Sequence, residues 1–534
     1  MTDHDELMSA SEIARECGVT AATVSQWRKR HTDFPPSTIV RGRARFNKQA
    51  IIDWLRDRRI PTDARRPGES DTATYADRMS GRASNVPPVV EPMVEALTGA
   101  LWRFVDGGGG MSTGETLISL LLYLQGCHPG TMEPVVTHGM TALSHGKWSL
   151  ADQRDVPVAV EPILDGAGGK EFLRGVADVV RTIESPQQAA IVFDAVLTAV
   201  SKQQGRKRDL QTPESIARLL ARLVSRNDDD GPVRVIDPFC RTGELLTALM
   251  DERGGSAADL QVWGYTPTRH HRGLAEMRIR LHGGSCEPTS SVHPEFLGDS
   301  IDVVVSNPPF NMRAAGFWDA QTGHLNWPYG VPPKSNANFG WLQIAVSLLN
   351  EDGRACIVMA PNAASTQNPS ERAIRRAMID AGAVEAIIEL PPQLFSATGI
   401  AVTVWVLRKP VGAPTDVLFI DMSDAGERVT PTLRVLSDSD MQLIVSTVEA
   451  GRGAARPQEL PLGPRRAVMA APEQITAADH VLVPRRYLPL APDEPDQIIQ
   501  TMEVASQLAD RQQQAQVMDE RVRRNLERLL PWNP

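Results

Sequence analysis

The sequence predicts a multidomain protein built around an α/β unit whose doubly wound sheet is mostly parallel. Three observations predict this. Between residues 206 and 410, short apolar, β-branched runs (VRVID, VVVSN, RACIVMA, VEAIIEL, VTVWVL) alternate with helical stretches, as strands do when helices cover both faces of a sheet. Residues 89–205 carry apolar side chains at three-to-four spacing, which predicts a helical domain ahead of the sheet. Residues 8–60 form a short, basic two-helix pattern followed by a hairpin, the outline of a winged helix-turn-helix.

The N-terminal unit pairs SEIARECGV, a helix beginning near Ser11, with a second helix, AATVSQWRKR, capped by Thr20. Gly18 falls in the turn between them. Ile13, Ala14, Val19, Val24 and Trp27 are spaced to pack the helices together. IVRGRARFN then reads as a wing and KQAIIDWL as a third helix. Residues 61–88 are rich in Pro, Gly, Ser and charge and read as a linker. PMVEALTGALWRFV, TGETLISLLLYLQ, KEFLRGVADVVRTI and PQQAAIVFDAVLTAVSKQQG are the helices of the 89–205 domain. The 206–410 segment is the catalytic candidate, 411–490 an extension of it, and 491–534 a long C-terminal helix with no Pro or Gly between Gln497 and Leu530.

The chain's net charge of −9 excludes a uniformly basic nucleic-acid coat. Charge is nevertheless concentrated: residues 8–60 hold eleven basic side chains against five acidic ones. Thr23, Gln26, Arg28, Lys29 and Arg30 on the second helix, with Arg43 and Arg45 on the wing, are the candidate DNA contacts. The five cysteines are isolated, which predicts neither a zinc site nor disulfides and suits a reducing cytoplasm. The start is acidic and polar, unlike a signal peptide. No apolar run reaches the length of a membrane span.

Two strand ends carry the chemistry. In VRVIDPFCRTGELL a strand ends at Asp237-Pro238, and a turn through Cys240, Thr242 and Gly243 leads into a helix. A ligand at the carboxyl end of such a strand rests on that turn, and Gly243 lets the backbone come close. In VVVSNPPF a strand ends at Asn307, followed by Pro308, Pro309 and Phe310. Two prolines stiffen the backbone and remove two N–H groups, leaving acceptors at a rigid point. Such acceptors suit an exocyclic amino group, and Phe310 offers a flat face for a base.

On these motifs, residues 90–530 resemble the N6-adenine DNA methyltransferase subunits of type I restriction–modification systems. DPFCRTGELL is similar to their DPxCGSGxxL, NPPF matches their catalytic loop, LQTPESIARLL resembles their TP-containing helix start, and ITAADHVLVPRRYL resembles their closing DYxLxPxRY segment. The resemblance implies a Rossmann-like fold that binds S-adenosylmethionine through Thr212, Pro213, Asp237, Pro238, Cys240, Thr242, Gly243 and Thr266. It implies catalysis by Asn307 and Pro308, with Pro309 stiffening the loop and Phe310 stacking on a flipped adenine, and no metal. It further implies double-stranded DNA as substrate, a separate specificity subunit or other phage-defence proteins as partners, and a possible homodimer. The N-terminal unit, similar to MerR-like and excisionase-like domains, is an addition.

The chain departs from that pattern at the cofactor turn. Arg241-Thr242-Gly243 stands where the family has Gly-Ser-Gly, and Tyr265 and Thr266 stand where an acid usually holds the ribose. Asp299 and Glu287 are the candidates for the acid that faces adenine. These departures keep open an alternative: a weakly active or inactive DNA-binding protein on a methyltransferase scaffold. Methylation of RNA or of a protein glutamine is a third reading. Cytosine methylation needs a nucleophilic cysteine in a Pro-Cys context, which Cys240 and Cys286 lack.

Overall fold

A computed structural model describes residues 7–17, 19, 21–31, 33–40, 43–56, 58–61, 74–76, 90–138, 167–204, 211–224, 233–253, 260–288, 300–314, 327–395, 399–430, 433–452 and 459–489. The C-terminal helix expected over 491–534, the cap at Thr20 and the turn at Gly18 lie outside the described residues.

The N-terminal unit comprises β1 (Leu7–Met8), α1 (Ala10–Cys17), α2 (Ala21–Arg30), β2 (Ser37–Val40), β3 (Arg43–Asn47) and α3 (Lys48–Leu55). The antiparallel wing pairs Ser37 with Phe46 and Val40 with Arg43, and β1 adds to the other edge of β3. Asn47 ends the wing and starts α3 by accepting the Ala50 N–H at 2.9 Å. Ile13, Ala14, Cys17, Val24, Phe46, Ile51 and Leu55 form its core. Tyr75 and Ala76, within the stretch read as a linker, are buried in that same core, with Tyr75 edge-on to Trp27 at 5.1 Å. The chain therefore returns to this unit after residue 61.

The helical region contains α4 (Glu91–Asp106), α5 (Met111–Cys127), α6 (Met132–His138), α7 (Ala167–Val180) and α8 (Pro186–Gln204). Helix α5 is buried on nearly every face from Leu117 to Leu124, so it forms the centre of the bundle.

The α/β region follows with α9 (Glu214–Val224), β4 (Val233–Asp237), α10 (Glu244–Arg253), β5 (Leu260–Gly264), α11 (Arg269–Leu281), β6 (Cys286–Pro288) and β7 (Ile301–Ser306). It continues through α12 (Asn338–Leu348), β8 (Leu349–Met359), α13 (Asn362–Ser365), α14 (Pro369–Asp380), β9 (Val384–Glu389), β10 (Thr403–Arg408) and β11 (Val417–Asp421). The β12 (Glu427–Thr430) and β13 (Leu433–Val435) ribbon, α15 (Asp438–Gly451), β14 (Ala467–Ala470) and α16 (Pro472–Ala477) complete it.

Among the described residues, nine strands form one sheet in the order β14-β11-β9-β10-β8-β7-β4-β5-β6. Only β10 and β14 run against the rest. β10 pairs antiparallel both with β9, the strand before it in the chain, and with β8. β11 pairs in parallel with β9, and β14 closes the edge. The region read as an irregular extension after 410 thus supplies two strands of the central sheet.

Apolar side chains from alternate positions fill both faces. Val235, Val303, Val305, Val404 and Val406 face one layer, and Ile236, Val304, Trp405 and Leu407 the other. Trp341 and Trp405 are fully buried, each worth roughly 3 kcal/mol of transfer free energy. The helical region docks on the sheet through α11, whose Leu274, Met277 and Leu281 belong to the helical core. Gly126 permits this approach: a Cβ there would lie 2.6 Å from the Leu281 side chain.

Candidate active site

The order β5-β4-β7 reverses the direction of winding at β4, and ligands of open α/β sheets bind at the carboxyl ends of strands at such a switch. Both sequence motifs end there. Asp237, 1% exposed at the end of β4, accepts the Ser306 hydroxyl at 2.7 Å and the Phe239 N–H at 2.9 Å through Oδ1. Burial pushes its carboxyl up to about 7, against the lowering effect of those two donors. This pair ties the β4 turn to β7.

The turn itself is tight. Gly243 donates to the Cys240 carbonyl at 2.7 Å and has φ +85°, a left-handed value that glycine adopts freely. The Cys240 N–H is bonded to the Tyr265 carbonyl at 2.8 Å. The Cys240 side chain is buried in the core, and a Cβ on Gly264 would lie 2.7 Å from its sulfur. With both backbone groups and the side chain committed, Cys240 packs β4 against β5 instead of offering a polar group to a ligand. Burial also raises its thiol well above the usual range, which removes it as a nucleophile.

Asn307, 3% exposed, is held from a distant helix start. Its Nδ2 donates to Thr212 Oγ1 at 2.9 Å, across 95 residues. Thr212 is itself buried, with Pro213 half-buried beside it. This bond orients the amide and leaves Oδ1 buried with no hydrogen-bond partner. Pro308 is buried, while Pro309 and Phe310 are half-exposed. Phe310 stands edge-on to Phe395 at 5.9 Å.

The loop then turns at Asn311, which has φ +54°. Its Oδ1 accepts the side-chain amides of Asn338 at 2.9 Å, Asn362 at 3.0 Å and Asn336 at 3.3 Å, and its N–H donates to Asn338 Oδ1 at 3.0 Å. This asparagine knot fixes the exit of the Asn-Pro-Pro-Phe segment. Sequence reading passed over it, although the signal was present in SNANF and the Asn362 start of α13.

Thr266, after β5, is 3% exposed, and its hydroxyl has no partner. Pro238 is buried and Thr242 half-buried on the turn. Of the two acids proposed to face adenine, Glu287 has its backbone in β6, and its side chain, like Asp299, lies outside the described residues.

A polar brace supports the turn from behind. Arg278 on α11 donates to Asp194 of α8 at 2.7 Å and to the Thr242 carbonyl at 3.5 Å. His282 bonds Asp194 at 2.9 Å and Asp251 at 3.1 Å. His270, expected on a solvated face, is instead bonded to Glu115 and Thr116 of α5, each at 3.0 Å. Burial opposes a charge on His282, but the hydrogen bonds from Asp194 and Asp251 outweigh it and raise the imidazole to about 9. A histidine whose folded pKa exceeds its unfolded value of about 6.5 stabilises fully below that value. That stability is lost as pH rises through about 9. The melting-temperature difference between wild type and His282→Gln should therefore be largest at pH 6 and shrink by pH 10; an unchanged difference would refute the brace.

On the N-terminal unit, Gln26, Arg28, Lys29 and Arg30 are exposed at the end of α2, and Thr23 and Arg45 are half-buried. The Arg43 backbone lies in the wing, and its side chain is outside the described residues. Arg58 serves structure instead: it lies over the Trp54 ring at 3.5 Å and bonds Asp33 at 3.0 Å. Among the described residues no helix is long and apolar enough to cross a membrane.

Known proteins agree with this architecture. The N-6 DNA Methylase family matches residues 190–495, and the Helix-turn-helix domain family matches residues 7–59. The HindI methylase subunit of a type I restriction enzyme from Haemophilus influenzae is 29% identical over 57% of this chain and 69% of its own. The MjaIX methylase subunit from Methanocaldococcus jannaschii is 26% identical over 72% of this chain and 67% of its own. In structure, a type I restriction–modification methyltransferase subunit from Streptococcus thermophilus superposes with a TM-score of 0.58 at 17% identity, covering 75% of this chain and 100% of that one; this likeness carries the fold. The matched region spans the paired strand ends, the Asn307 loop and the closing segment, and the chain belongs to the N-6 DNA methylase family.

Proposed function

We propose that this enzyme moves the methyl group of S-adenosylmethionine to N6 of an adenine flipped out of duplex DNA, at the carboxyl ends of β4 and β7. The observation that carries the reading is Asn307: a buried amide oriented by Thr212, with an Oδ1 that has no hydrogen-bond partner among the described residues. A buried acceptor left unpaired is costly, and the cost is recovered when a ligand donates to it.

Adenine N6 is a poor nucleophile because its lone pair is delocalised into the ring. Asn307 Oδ1 and the Pro308 carbonyl accept its two N–H bonds and so favour a tetrahedral nitrogen with its lone pair exposed. The prolines hold these acceptors rigid, which lowers the reorganisation needed at the transition state. Phe310 stacks on the base, a contact worth about 1–3 kcal/mol. After transfer the nitrogen sheds one proton to solvent. A base stacked in a duplex cannot reach this buried site, so it must be extruded.

S-adenosylmethionine, when bound, supplies a methyl group activated by a sulfonium. The residues present fit such a molecule. Among the described residues, Thr266 Oγ1 after β5 and the Nε and Nη1 of Arg241 next to Asn307 are buried without partners, and Gly243 leaves no side chain on the β4 turn. Thr212, Pro213, Asp237, Pro238, Thr242, Gly243 and Thr266 would hold it, with Cys240 setting the shape of the turn from beneath. Titration calorimetry with S-adenosylmethionine, together with mass-spectrometric detection of N6-methyladenine in treated DNA, tests the reading. Absence of the modified base from DNA treated by a protein that binds the cofactor would overturn it.

The relatives are methylase subunits of type I restriction enzymes, and this supports a modification subunit that works beside a separate specificity subunit. Other defence-system proteins and a second copy of the chain are further partners on this reading. Family membership does not favour the inactive-scaffold alternative.

The basic end of α2 is a second contact with double-stranded DNA. Each phosphate contact contributes a salt-dependence slope of about 0.9. Replacing Arg28, Lys29 and Arg30 together with alanine should lower the slope of log affinity against log salt by about 2–3, measured by fluorescence anisotropy. An unchanged slope would make this unit a protein-docking module.

A further inference from the structure

Arg241 is the large cation of the β4 turn, and no role has yet been given to it. It is 7% exposed and has φ +49°, a left-handed conformation that a side-chain-bearing residue adopts at a cost. Its Nη2 lies 3.5 Å from the Asn307 carbonyl, while Nε and Nη1 are buried and make no hydrogen bond. Asp237, a nearby carboxylate, has its Oδ1 occupied by Ser306 and Phe239. A guanidinium cannot shed its charge and presents donors in a planar fork matched to a carboxylate. A strained backbone and two unpaired buried donors in one residue point to a missing anionic ligand.

We propose that Arg241 binds the carboxylate of the cofactor's amino-acid arm and thereby replaces with a side chain what a glycine-rich turn does with backbone. This rests on the S-adenosylmethionine reading above. The connectivity of that molecule supports it. The sulfur must lie next to Asn307 for its methyl group to reach a base held there, and the amino-acid arm leaves the same sulfur by a short carbon chain. Its carboxylate therefore falls near Asn307, where the guanidinium waits. Because Arg241 also contacts the Asn307 carbonyl, carboxylate binding draws the cofactor turn and the catalytic loop together.

The test is binding, independent of turnover. Wild type, Arg241→Met and Arg241→Lys are titrated calorimetrically with S-adenosylmethionine and with 5′-methylthioadenosine, which has the nucleoside and thioether but no carboxylate. Loss of one charge-assisted contact should weaken S-adenosylmethionine binding by Arg241→Met about 10- to 100-fold. Its affinity for 5′-methylthioadenosine should stay within about twofold, which also shows that the pocket remains folded, and Arg241→Lys should fall between. Equal changes for both ligands, or none, would overturn the proposal. Tighter binding of both by Arg241→Met would overturn it in favour of a side chain that blocks the site. Failure of wild type to bind S-adenosylmethionine would instead sink the cofactor reading itself.

Discussion

Asn307→Ala should reduce methyl transfer by about 10²- to 10³-fold or more, the usual consequence of deleting one preorganised polar group at a reacting centre. The substitution removes the only side-chain acceptor the Asn-Pro-Pro-Phe loop offers and releases the Thr212 hydroxyl. Cofactor affinity should change little, because the turn between β4 and α10 is built from other residues. The expected signature is a fall in kcat with S-adenosylmethionine binding kept within a few-fold. Asn307→Asp retains an acceptor oxygen but loses the amide that donates to Thr212, so it should keep more activity than the alanine variant. Steady-state kinetics on adenine-containing duplex DNA measures this. Equal activity of Asn307→Ala and wild type would place the chemistry elsewhere.

Arg375→Ala should destabilise the catalytic region by about 3 kcal/mol, seen as a melting temperature lower by about 6–12 °C. Arg375 is fully buried on α14. Its guanidinium donates to the carbonyls of His480 at 2.8 Å, Thr366 at 3.2 Å and Ala363 at 3.3 Å. It thus clasps the closing segment to the sheet. Two other contacts hold the same segment: Arg485 donates to Asp421 at 2.8 Å, and Tyr487 stacks on Phe419 at 4.0 Å. Truncation leaves two buried carbonyls and one half-buried carbonyl without this donor, as well as a cavity. Differential scanning calorimetry checks the shift. A change below about 1 kcal/mol would mean that water replaces the guanidinium.

Much of this architecture is written in local patterns. β-branched runs predict strands because side chains alternate across a pleat, and the 3.6-residue period predicts α4, α5, α7 and α8 before any contact is known. The Asp-Pro and Asn-Pro-Pro-Phe strand ends are legible because each needs special backbone chemistry at one point. The basic excess of residues 8–60 is legible because charge adds along the chain. β6 and β14, with three and four residues, were missed as sheet members because such short runs carry too few alternations to signal a strand, and β11 was missed inside a stretch read as irregular. His270 looked solvated because its neighbours are basic, and only the docking of α5 on α11 buries it.

By itself, then, the sequence determined the helices of the 89–205 region and the strands β4, β7, β8, β9 and β10, where two turns must form, and that an amide, two prolines and a phenyl ring meet at one strand end. Tertiary structure alone decided the strand order, with β10 set antiparallel between β8 and β9. It also decided that Thr212 orients Asn307 across 95 residues, that Arg241 reaches the Asn307 carbonyl across 66, and that Asp194 steadies the turn after β4 through Arg278. The physical reason is range. Periodicity and turn chemistry act over a few residues, whereas the directions in which buried polar groups point are chosen only when distant segments pack and each donor must find an acceptor away from water.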